Sequence, residues 1–115
     1  MLIAIVDDDP RMRMLLEGEA SDEGWQCLCC SNGQELLDCD QLEQVDLVLL
    51  DLMMPEMDGL TCLRHLRSRG FRHRVIVLTA LCDPQQKQLL LKAGADQYLL
   101  KTALLAGLRD LVGTC

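Results

Sequence analysis

Five short apolar runs, 2–6, 25–30, 47–50, 75–78 and 98–100, alternate along this chain with segments whose apolar residues recur at helical spacing. Runs this short are strands rather than helices, and near-continuous apolarity suits strands covered on both faces. Neighbouring parallel strands need a crossover connection, and an amphipathic helix supplies it, so the alternation leads to an α/β domain around a parallel, doubly wound sheet. The crossovers should be right-handed. The chain's 115 residues have room for one such domain, read as residues 1–115. A chain that is 50% hydrophobic and 25% charged can bury enough apolar surface to offset its conformational entropy, so disorder is not expected.

Local signals mark the helices. Asp9-Pro10 pairs an Asp N-cap with proline at the first helical position, and Asp83-Pro84 repeats it. The first helix should carry Met12, Leu15, Leu16 and Ala20 on its inner face and end at Gly24. A short second helix is expected around 34–38, presenting Leu36 and Leu37. After a loop with Pro55 and an Asp58-Gly59 turn, Leu60, Leu63 and Leu66 mark a third helix to about Arg69. Leu89, Leu90 and Ala93 should face inward on a fourth, capped by Gly94. Leu104, Leu108, Leu111 and Val112 fit a fifth.

In open parallel sheets, ligands bind outside the carboxyl ends of the strands. Here those ends are polar: Asp7-Asp8 after the first strand, Asp51 after the third, Thr79 after the fourth and Lys101 after the fifth. Three carboxylates in one cleft repel, and each raises the others' pKa unless a cation intervenes. A hard, oxygen-seeking dication such as Mg²⁺ (or Mn²⁺) resolves the conflict. With a lysine and a hydroxyl beside one carboxylate, the set has the parts for phosphoryl transfer: the carboxylate attacks, and the cations and hydroxyl stabilise charge on the phosphoryl oxygens. Any one strand-end Asp is more often a helix cap; five polar residues at four strand ends are harder to dismiss.

The segments Val6-Asp7-Asp8-Asp9-Pro10, Asp51-Leu52-Met53-Met54-Pro55-Glu56-Met57-Asp58-Gly59, Thr79-Ala80, Ala93-Gly94-Ala95-Asp96 and Tyr98-Leu99-Leu100-Lys101, in that order and spacing, are similar to the receiver domains of two-component response regulators. The resemblance spans essentially the whole chain. It implies a flavodoxin-like sheet of order 2-1-3-4-5 with five helices. It implies Asp51 as phosphoacceptor, Mg²⁺ held by Asp8, Asp51 and the Met53 backbone carbonyl, with Asp7 acting mainly through water. Thr79 would hydrogen-bond the phosphoryl group and Lys101 would pair with it. The donor would be a sensor histidine kinase or a phosphotransfer protein. Such a domain is a signalling module rather than an enzyme, although it assists its own phosphorylation and dephosphorylation. Phosphorylation would draw Thr79 inward, let Tyr98 rotate in, and remodel the face of the fourth helix, fifth strand and fifth helix, with homodimerisation as a further expectation.

The chain departs from the family pattern in places. Thr102 follows Lys101 where a proline often stands, so a cis peptide there is not expected. This variant resembles receivers that precede helix-turn-helix output domains. Met53 and Leu81, two residues after the acceptor and after Thr79, are both apolar; they should keep attacking water out and lengthen the phosphoryl lifetime.

Composition narrows the partners. A formal charge of −7 argues against nucleic acid or an anionic membrane as direct partner. No apolar run approaches the ~18 residues of a membrane helix, and the N-terminus does not read as a signal peptide. The expectation is a reducing cytoplasm with free thiols, since the seven cysteines are an odd number. Cys27, Cys29 and Cys30 read as small buried hydrophobes in a strand; their spacing does not suit zinc. His65 and His73 read as a solvated helix face, and the arginines at 64, 67, 69, 72 and 74 as solvated surface or an acidic-partner contact rather than a nucleic-acid patch. Two other readings stand beside the receiver. Asp7-x-Asp9 resembles the nucleophile motif of haloacid-dehalogenase-type phosphatases, with Asp7 as nucleophile and Asp9 as acid/base. Alternatively, the same fold serves as an interaction module that works without phosphorylation.

Overall fold

The structure, a computed structural model, describes residues 1–102. Within them lie strands β1 (Leu2–Val6), β2 (Gln26–Cys30), β3 (Leu47–Asp51), β4 (Arg74–Thr79) and β5 (Gln97–Leu100), and helices α1 (Pro10–Asp22), α2 (Gly33–Leu37), α3 (Gly59–Ser68) and α4 (Pro84–Ala93). A 3₁₀ turn, Leu42–Gln44, precedes β3; no pattern in the sequence marks it. The fifth helix expected from Leu104 to Val112 falls outside the described residues.

All neighbouring strands pair in parallel, in the order β2-β1-β3-β4-β5. This is the doubly wound, flavodoxin-like sheet that the alternation and the resemblance implied. Each strand sends successive side chains to opposite faces. Ile3, Ile5, Leu47, Leu49, Ile76, Leu78 and Leu99 join Leu16 and Ala20 of α1 in one core layer. Ala4, Val6, Val48, Leu50, Val75, Val77 and Tyr98 join Leu36, Leu63, Leu66 and Leu90 of α2, α3 and α4 in the other. With both faces covered, β3 is buried along its whole length, which is why it reads as unbroken apolar sequence up to Asp51.

The helix starts follow the sequence. Asp9, Asn32, Asp58 and Asp83 each accept a hydrogen bond from a first-turn amide, and Gly94 ends α4 at φ 112°, a left-handed conformation that side chains disfavour. Two inward assignments need correcting. Leu15 is 41% exposed and Leu89 44%. Each lies one residue, about 100° of rotation, from the neighbour that does reach the sheet, Leu16 or Leu90, so it points past the contact.

The cysteines of β2 are divided between the faces as a strand requires: Cys30 is buried in one layer and Cys27 packs half-buried against the other. The expectation of burial is corrected at Cys29, which is exposed on the edge strand and donates to Glu17 Oε2 at 3.0 Å. No cysteine belongs to a metal-competent cluster among the described residues. The expectation of free thiols holds for Cys27, Cys29, Cys30, Cys39 and Cys62 and is corrected at Cys82, which is disulfide-bonded. A count of cysteines carries no information about which sulfurs the fold brings into reach. No helix among the described residues is long and apolar enough to cross a membrane, and the described backbone contains no cis peptide bond.

Candidate functional site

Because the strands are parallel, β1, β3, β4 and β5 deliver their last residues to one edge of the sheet. Register sets the levels: Val6 pairs with Leu50, Asp51 with Leu78, and Thr79 with Leu100. Asp7, Asp51 and Thr79 are all buried, whereas Asp8 is exposed and Lys101 half-buried. One carboxylate oxygen each from Asp7, Asp8 and Asp51 lie within 4.8 Å of one another. Lys101 Nζ sits 3.1 Å from Asp7 Oδ2 and 3.2 Å from Asp51 Oδ1, bridging the two buried acids. The Met53 amide donates to Asp51 Oδ1 at 3.3 Å.

One cation does not balance this cluster. Burial, then the charge of Asp7, push the Asp51 carboxyl up to about 6, against the opposing pull of Lys101. Burial acts to lower the Lys101 pKa, but its contacts with Asp7 and Asp51 outweigh that and hold it above the ordinary lysine value. Asp7 Oδ2 is fully buried and satisfies no hydrogen bond of its own, with the Lys101 ammonium 3.1 Å away as its ion-pair partner. An orphaned carboxylate oxygen beside two further carboxylates is the donor set a hard dication prefers, so these residues fit Mg²⁺ or Mn²⁺.

Thr79 closes the other side. Its hydroxyl donates to the Leu81 carbonyl at 2.9 Å and accepts from the Leu81 amide at 3.2 Å. Tyr98 Oη donates to the same carbonyl at 3.4 Å, and the ring is buried. The resemblance implied a ring that turns inward on phosphorylation; in this structure Tyr98 is inward. Met53 and Leu81, by contrast, are 72% and 79% exposed at the mouth of the site.

Gly59 explains how α3 is brought against the acceptor strand. Its amide donates to the Leu52 carbonyl at 2.8 Å, and a Cβ there would lie 2.6 Å from the Asp51 carbonyl oxygen. Only glycine allows that approach. Asp9 is committed to capping α1: it accepts from the Arg11 amide at 2.9 Å, and that bond holds its carboxyl below the ordinary value. A general acid needs the opposite shift.

Sequence reasoning missed Arg13. Its Nη1 donates to the Asp7 backbone carbonyl at 2.6 Å, six residues back along the chain. An arginine on an amphipathic helix reads as solvated, and nothing in its spacing marks it otherwise. His65 and His73 are exposed and belong to no metal-competent group among the described residues, as expected of surface residues. The solvated reading is corrected at Arg67, which is half-buried and donates to the carbonyls of Phe71, His73 and Gly94.

Known proteins place this geometry. The family model of the response regulator receiver domain matches residues 3–112. The transcriptional regulatory protein AruR of Pseudomonas aeruginosa is 39% identical over 104 residues, 86% of this chain and 42% of AruR. The alkaline phosphatase synthesis transcriptional regulatory protein PhoP of Bacillus subtilis is 33% identical over 86% of the chain and 41% of its own length. The chain therefore spans less than half of these relatives. Among solved structures, the BeF₃-activated receiver domain of Klebsiella pneumoniae RstA superposes with a TM-score of 0.83 at 33% identity, covering 95% of this chain and 96% of that one. With a matching model over nearly its full length and relatives above 30% identity, the chain belongs to the receiver-domain family of two-component response regulators.

Proposed function

We propose that this receiver takes a phosphoryl group onto Asp51 from the phosphohistidine of a sensor histidine kinase or phosphotransfer protein. The observation that carries the reading is the buried Asp51 carboxylate, joined through Lys101 to Asp7, whose Oδ2 has no hydrogen bond. Bound at Asp7, Asp8, Asp51 and the Met53 carbonyl, Mg²⁺ would supply charge neutralisation for the incoming phosphoryl oxygens. An Asp51 oxygen attacks phosphorus; the O–P bond forms as the N–P bond of the donor breaks, and the imidazole leaves with the electron pair. Lys101, already 3.2 Å from Asp51 Oδ1, stabilises charge on the transferring group without moving far. The Thr79 hydroxyl exchanges its Leu81 carbonyl partner for a phosphoryl oxygen. Tyr98 shares that carbonyl, so the exchange reaches the α4–β5 surface.

That surface would act on an output, which the names of AruR and PhoP suggest is transcriptional. Residues 1–115 serve as the receiver, a signalling module rather than an enzyme with its own substrate, working in the cytoplasm. Homodimerisation on activation and the absence of direct nucleic-acid contact by this domain belong to the same reading. Asp9's role as a cap counts against the phosphatase alternative. The test is intact mass after incubation with Mg²⁺ and a small acyl phosphate. One phosphoryl group is expected on the wild type and none on Asp51→Asn. A folded wild type that takes none would support a phosphorylation-independent module; addition that survives in Asp51→Asn would move the acceptor elsewhere.

A further inference from the structure

We propose that Arg13 is a positioning residue for the divalent-cation site, acting through the peptide that joins Asp7 to Asp8. The inference rests on the reading of Asp7, Asp8 and Asp51 as that site. Arg13 is half-buried on the first turns of α1, and its 2.6 Å bond to the Asp7 carbonyl is a short, charge-assisted one. Among the described residues Arg13 makes no ion pair, so the guanidinium is committed to the backbone oxygen of a residue that belongs to the acidic cluster.

The rest of the turn shows why that oxygen matters. The Asp7 amide donates to the Cys30 carbonyl at 3.1 Å, and Asp7 Oδ1 accepts from the Asp9 amide at 2.9 Å. Asp7 is thus fixed at its amide and its side chain, and Arg13 fixes its carbonyl. Asp8 is exposed, and among the described residues no hydrogen bond holds its carboxylate. Its placement is set by the backbone leading into it, and the plane of that peptide is what Arg13 holds. Outer groups that orient metal ligands in this way matter nearly as much as the ligands themselves.

Sign separates this role from simple electrostatics. A positive charge beside the acidic cluster repels a dication, so neutralising Arg13 would tighten binding if charge were its only effect. Positioning requires the reverse. Metal-stripped wild type, Arg13→Lys and Arg13→Met are titrated with Mg²⁺ by calorimetry, with no phosphodonor present, and their folding is checked by circular dichroism. Arg13→Met should bind roughly 10-fold more weakly, the lower end of what such outer-sphere losses cost, and Arg13→Lys, which keeps a charged donor of similar reach, should recover most of the affinity. In acyl-phosphate labelling, the Mg²⁺ concentration for half-maximal rate should rise in Arg13→Met while the rate at saturating Mg²⁺ stays at the wild-type level, a split that general loosening of the fold would not produce. Should Arg13→Met not fold, Arg13→Gln, too short to reach the carbonyl, takes its place with the same expected weakening. Unchanged or tighter binding in these variants, with wild type binding Mg²⁺ normally, overturns the role of Arg13 alone. A wild type that binds no Mg²⁺ overturns the metal site and this inference together.

Discussion

Replacing Asp51 with asparagine should stabilise the metal-free protein while abolishing its function. The side chain is 3% exposed and close to Asp7 and Asp8. Its carboxyl is held at about 6 against an ordinary 3.8, chiefly by burial and then by the charge of Asp7. At roughly 1.4 kcal/mol per pKa unit, keeping Asp51 ionised in the fold costs about 3 kcal/mol at neutral pH. Asparagine removes the charge, keeps the shape, and can still accept from the Met53 amide. The pull of Lys101 is already contained in that shift, so with some loss for an imperfectly satisfied buried amide the net gain should be about 1–3 kcal/mol. With a urea dependence of about 1–3 kcal/mol per molar, the midpoint should move up by about 1 M. The pH dependence follows from the sign of the shift. Below about pH 4 Asp51 is protonated in both folded and unfolded chains and the two proteins should match. Between about pH 4 and 6 the unfolded chain gives up a proton that the folded one keeps, so wild-type stability falls relative to the variant as pH rises. Above about pH 6 the gap should be constant. The assay is urea unfolding followed by far-UV circular dichroism in a chelator across this range. A variant less stable than wild type at neutral pH, or a gap that does not change between about pH 4 and 6, would refute the electrostatic account. Added Mg²⁺ should close the gap by stabilising wild type more than the variant.

Other outcomes follow from the same geometry. Gly59→Ala places a Cβ 2.6 Å from the Asp51 carbonyl oxygen and should cost about 1–3 kcal/mol in urea unfolding as α3 is pushed away; a neutral substitution would show that the helix shifts freely. The double variant Met53→Asn, Leu81→Glu puts polar groups at the two exposed apolar positions of the mouth and should shorten the phosphoryl half-life, measured by the decay of the mass-shifted species. An equal or longer half-life would mean that these side chains do not exclude water. Asp9→Ala loses the N-cap of α1 and should lower stability by about 1 kcal/mol yet still be phosphorylated, whereas loss of labelling in a folded variant would revive the reading in which Asp9 is an acid/base group.

Much of this protein was legible in its linear order because the relevant physics is local. Strand runs such as Leu47–Leu50, caps such as Asp9-Pro10 and Gly94, and polar residues at the strand ends are set by neighbours within a turn or a pleat. A parallel sheet then has little choice but to bring Asp7, Asp8, Asp51, Thr79 and Lys101 to one edge. The tertiary structure decided what depends on distances between residues far apart in the chain. The 3.1 and 3.2 Å contacts of Lys101, the raised pKa of Asp51 and the orphaned Asp7 oxygen come from burial and from charges on separate strands. Arg13's grip on the Asp7 carbonyl, the inward Tyr98 and the outward Leu15 and Leu89 depend on how each helix is rotated against the sheet. Periodicity states which side of a helix is apolar; hydrogen bonding and desolvation are resolved only when the packed sheet sets the last few ångströms.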